Sequence, residues 1–74
     1  MTSSSQIMSD YLNTLKAYLD TYMDRWVRHA SRKDRISPGL VERVDISFKD
    51  SICTVRWADN KITYEFGEEL EILS

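Results

Sequence analysis

The chain has 74 residues, 42% of them hydrophobic and 30% charged, with a formal net charge of −2. That is one domain at most, with a thin core, since so short a chain buries only about 60–65% of its unfolded surface. One Cys, one His and two Gly exclude a disulfide framework and a Gly-rich phosphate loop, and leave a partner subunit as the expected support.

Residues 1–5 read as a polar tail, with Ser3 and Gln6 spaced as a capping box at a helix start. Residues 6–74 then form a single α+β domain. Apolar residues recur at three- and four-residue spacing as Ile7, Met8, Tyr11, Leu12, Leu15, Tyr18, Leu19, Tyr22, Met23, Trp26, Val27 and Ala30. This period predicts one long amphipathic helix over about 5–34, closed by Arg32 and Lys33 and stopped by Ser37-Pro38-Gly39.

Beyond Gly39 the period changes to two. Alternation predicts strands over about 42–49, 52–58 and 61–66, a three-stranded antiparallel meander in the order α-β-β-β. If Asp50-Ser51 is a two-residue loop, Phe48 lies opposite Cys53, Ile46 opposite Val55, and Val44 opposite Trp57. If Asp59-Asn60 is another, Trp57 lies opposite Ile62, Val55 opposite Tyr64, and Cys53 opposite Phe66. Both hairpins then turn the same nine side chains to one face, leaving Thr54, Arg56, Lys61 and Thr63 on an ordinary wet face. Residues 67–74 read as an acidic extension.

A helix of this length would run about 42 Å, against about 20 Å for six-residue strands, so the sheet cannot cover it. On the helix, Tyr11, Tyr18, Tyr22 and His29 line one edge, which becomes the expected protein-binding surface, to a second copy or another protein. Charge is bipolar: residues 24–37 carry +3 and the segment from Glu65 onward −4. Arg25, Arg28, Arg32, Lys33 and Arg35 make a basic patch that would bind nucleic acid phosphates, or the acidic run Glu65, Glu68, Glu69 and Glu71 of the same chain or another.

Catalytic chemistry finds no support. Cys53 reads as a small buried hydrophobe, His29 lacks an orienting third residue, and the carboxylates match no calcium or zinc spacing. The sequence therefore predicts a non-catalytic protein-binding module, a regulator, adaptor or inhibitor acting through its long helix as a homodimer, with nucleic-acid binding as the alternative. No cofactor, metal, membrane or small-molecule substrate is expected. With no long apolar run and a lone Cys, the expected location is cytoplasmic.

Overall fold

The computed structural model describes residues 4–74, with side chains from Met8 onward. The expected capping box of Ser3 and Gln6 and most of the predicted tail lie outside the described residues, whereas Ser4 and Ser5 are already helical. The fold is α+β: one helix, α1 (Ser4–Tyr22), and one antiparallel sheet of β1 (Trp26–His29), β2 (Gly39–Ser47), β3 (Asp50–Trp57), β4 (Ile62–Phe66) and β5 (Leu70–Ile72). The spatial order is β4-β3-β2-β1-β5. No helix among the described residues is long and apolar enough to cross a membrane.

The helix is shorter than predicted. It stops at Tyr22 because Asp24 enters the left-handed region (φ 59°), a conformation Asp tolerates, and its N–H turns to the Val41 carbonyl at 3.1 Å. Trp26 to His29 then run as a strand, with Val27 and His29 inward and Trp26 and Arg28 outward. The acidic tail supplies a fifth strand. It pairs Arg28 with Glu71 and His29 with Leu70, so Leu70 joins the core and Glu71 meets Arg28 on the outer face at 2.6 Å.

Both hairpin registers differ from the expected ones. In the first, the loop is Phe48-Lys49, both at positive φ, and Ser47 lies opposite Asp50. Val44 and Ile46 keep their inward orientation, now opposite Cys53 and Ser51. A bulge between Val41 and Arg43 then turns Val41 inward, opposite Val55. Phe48 leaves the sheet altogether and is 98% exposed.

The second hairpin closes through three residues, Ala58 to Asn60. Asn60 takes the left-handed position (φ 68°), its N–H reaching the Trp57 carbonyl at 2.8 Å. Arg56 therefore lies opposite Ile62, a slip of one residue from the two-residue loop, and a one-residue slip reverses every side chain of the strand. Ile62, Tyr64 and Phe66 face outward, while Thr63 and Glu65 face the core.

The core is Val27, Val41, Val44, Cys53, Val55, Trp57 and Leu70. Two close approaches shape it. A Cβ on Gly39 would sit 2.5 Å from Val55 Cγ1 and 2.6 Å from Trp57 Cε3, and one on Gly67 would overlap Ser51 Oγ and lie 2.6 Å from the Tyr22 ring. Gly67 thus lets the short 3-10 turn Gly67–Glu69 pass beneath Tyr22, which with Tyr18 and Met23 packs on the core edge.

Candidate functional site

At 19 residues, α1 is about 28 Å long, and nine-residue β2 spans about 30 Å, so the predicted length mismatch is not there. A different deficit replaces it. Among the described residues of α1 no side chain is fully buried: Leu15, Tyr18 and Tyr22 are half-covered, and Met8, Tyr11, Leu12 and Leu19 are exposed. Tyr18 anchors the helix to the first hairpin by donating its hydroxyl hydrogen to the Lys49 carbonyl. Beside it lies a shallow groove walled by Asp10, Tyr11, Thr14, Ile46, Phe48 and Lys49.

Of the predicted binding residues, Tyr11, Tyr18 and Tyr22 do share one helical edge, but only Tyr11 is open to solvent. His29 is not with them. It stands on β1, its side chain 1% exposed, with Nε2 at 3.1 Å from Glu65 Oε2 and 3.3 Å from Glu69 Oε2. Arg35 closes the cluster, its Nε and Nη2 each 3.1 Å from Glu65 Oε1. Sequence reasoning missed this cluster because it placed His29 on a helix and Glu65 on the wet face.

The three carboxylate and imidazole groups lie within 4.8 Å of one another, which is compatible in distance with a metal site. The hydrogen bonding argues otherwise. His29 Nδ1 accepts from the Ser31 and Arg32 N–H groups at 3.2 and 2.9 Å, so in the neutral ring the proton sits on Nε2 and is donated to the carboxylates. A metal on Nε2 would require the proton on Nδ1, where two N–H donors already point. The cluster is therefore a satisfied polar joint between β1, β4 and the turn before β5.

Nor do the basic residues form one helical strip, because the chain is not helical there. Arg28 is held by Glu71, and Arg35 by Glu65 and Asp34. Arg25, Arg32 and Lys33 have no ion-pair partner among the described residues and are exposed. The basic and acidic segments thus meet within the chain, which spends much of the charge that a phosphate backbone would need.

Cys53 is fully buried on β3, and burial pushes its thiol pKa up to about 11. A thiol so raised is a poor nucleophile at neutral pH. The outer face of the sheet, by contrast, carries apolar side chains among its charges. Trp26, Leu40, Arg56 and Ile62 lie in one cross-strand row, Arg43, Thr54 and Tyr64 in the next, and Asp45, Ile52 and Phe66 beyond them. Its signal was in the sequence, as the alternation of Ile62, Tyr64 and Phe66, but the loop length that decides its face was not.

No protein-family model matches the chain, and neither a curated protein nor a solved structure matches it significantly.

Proposed function

We propose that the protein is a small non-catalytic protein-binding module, a regulator or adaptor, that takes its partner on α1. The observation that carries this reading is the helix without a fully buried side chain among its described residues. A helix held only along one edge gains little from tertiary packing, which is where most helical stability in proteins arises. Met8, Leu12, Leu15 and Leu19 follow one another at spacings of four, three and four, and no charged residue falls on that line. This is the seam of a two-helix pairing, and the partner it fits is a helix of another protein with the same apolar spacing.

Phe48 lies off that line: a bulky residue at φ 49°, 98% exposed, it costs stability at a turn where Asn or Gly would relieve it, and it stands with Asp10, Tyr11 and Thr14 on another flank of α1. Nucleic-acid binding is the weaker reading, since Arg28 and Arg35 are already paired.

A photo-crosslinking residue placed at Leu12, at Leu19 and, as the control, at Ala17 on the far side of α1 tests the reading in the source cell. Discrete adducts to one larger protein from positions 12 and 19, and none from position 17, are expected. Equal adducts from all three, or adducts of twice the chain mass alone, would overturn it.

A further inference from the structure

The edge of the sheet at β4 is open. Natural edge strands are blunted by shortness, by an inward-pointing charge, by Pro, by a bulge, by Lys within the strand or by a covering segment, and β4 has only the first two, being five residues long with Glu65 inward. Ile62–Phe66 has no Pro or Lys, its pairing with β3 runs without a bulge, and among the described residues no strand pairs its outer side. Its one charged residue, Glu65, points inward and is satisfied by His29 and Arg35.

Which backbone groups face out follows from the ladder. The Trp57 N–H donates to the Lys61 carbonyl at 2.9 Å, so Trp57 and Lys61 form a hydrogen-bonded pair. Antiparallel pairs alternate, so the β4 residues bonded to β3 are Thr63 and Glu65. The N–H and C=O groups of Ile62, Tyr64 and Phe66 are the ones presented at the open edge. The same three residues carry the exposed apolar side chains, with Tyr64 at 75% exposure.

We infer that β4 pairs with β4 of a second copy about a two-fold axis through Tyr64, joining two five-stranded sheets into one of ten strands. The strand is self-complementary about that residue. Tyr64 faces its own counterpart, Ile62 faces Phe66 in both directions, and three outward residues per copy supply six backbone hydrogen bonds. The outer faces then merge, so that Ile62, Tyr64 and Phe66 of the two copies cover one another.

Charge fits the same register. Lys61 lies one residue before β4 and would sit opposite Gly67, beside Glu68. Its side chain has one ion-pair partner among the described residues, Asp59 at 3.9 Å, and Glu68 has none. The two-fold axis brings each Lys61 to the other copy's Glu68, twice per dimer.

α1 packs on β2, two strands in from the paired edge. This pairing goes beyond the function proposed above and uses β4 rather than the α1 seam of each copy.

Sedimentation over a concentration series tests the pairing. The chain is expected to dimerise and Tyr64→Pro to remain monomeric, because that residue's N–H faces the open edge and a Pro there spares the β3 ladder. Lys61→Glu should weaken the dimer about 3–10-fold and adding Glu68→Lys should restore it. Under mild oxidation Tyr64→Cys should form a disulfide-linked dimer and Ile62→Cys should not, since only residue 64 meets itself. A chain still monomeric at 1 mM, a folded Tyr64→Pro that dimerises like the original, or equal crosslinking from positions 62 and 64 would overturn the inference. Dimers lost in Leu12→Asp but kept in Tyr64→Pro would move self-association to α1 and so refute both readings, whereas failure here alone leaves the α1 proposal standing.

Discussion

Replacing Glu65 by Ala tests the inward orientation of β4 through its energetic consequence. The carboxylate is 5% exposed and accepts from His29 Nε2, Arg35 Nε and Arg35 Nη2, all at 3.1 Å. Hydrogen bonds involving a charged group are worth about 1.5–3 kcal/mol each, and breaking a buried charged pair costs about 3–5 kcal/mol. Relief is partial, since His29 retains Glu69 at 3.3 Å and Arg35 retains Asp34 at 3.0 Å. The net loss should be about 3 kcal/mol, a fall in Tm of roughly 12–24 °C for a domain of this size. Glu65→Gln keeps an acceptor in place and should cost about half as much. Urea unfolding followed by tryptophan fluorescence, at concentrations too low for self-association, gives the values against Tyr64→Ser, which should cost under about 0.5 kcal/mol as a surface change. If Tyr64→Ser proves the costly one and Glu65→Ala the silent one, β4 has the opposite face inward and the account of the edge collapses.

Gly39→Ala forces a methyl to within 2.5 Å of Val55 Cγ1 and should cost about 1–3 kcal/mol by overpacking, read from the same unfolding curves. Replacing Phe48-Lys49 by Asn-Gly suits two positive φ values and should raise stability by about 1–2 kcal/mol, read from the same curves; no gain would contradict the strain at Phe48. Cys53 should react with a thiol reagent only on unfolding. Because its folded pKa is raised, from 9.0 to about 11, the folded state holds the proton more tightly, and that stability is complete below pH 9 and lost as pH rises through 11. The difference in alkaline unfolding between the native chain and Cys53→Ala should therefore change by about 2–3 kcal/mol across that range, and a flat difference would contradict the burial.

The 3.6 period from Met8 to Tyr22 and the inward set Cys53, Val55 and Trp57 were legible in the sequence because each extends over enough residues to define its period. Trp26–His29 was not, since Trp26 and Val27 continue the helical spacing of Tyr22 and Met23, and four residues are too few to show a period of two. What ends the helix is a single backbone angle at Asp24, which no pattern of hydrophobicity records. The β4 face was misread for a related reason. Ile, Tyr and Phe favour strands whether they are buried or exposed, and one residue of loop length decides which side they take. That Thr63 and Glu65 could be inward depends on partners far along the chain: Trp57 Nε1 donates to Thr63 Oγ1 at 2.7 Å, and Glu65 meets His29 and Arg35. The tail reads as an acidic extension because Glu68, Glu69 and Glu71 dominate it, although Leu70 and Ile72 alternate with Glu69 and Glu71 as a strand. The opposed charges of residues 24–37 and the tail left open a meeting within the chain or between chains, and Arg28–Glu71 and Arg35–Glu65 place it within the chain.

Hydrogen exchange resolved to single amides, measured across a concentration series, tests the open edge most directly. The Thr63 and Glu65 amides, bonded to β3, should be protected at every concentration. Those of Ile62, Tyr64 and Phe66 should exchange rapidly in dilute solution and become protected together as the concentration rises. Exchange at Tyr64 that stays fast and independent of concentration up to 1 mM would contradict the account.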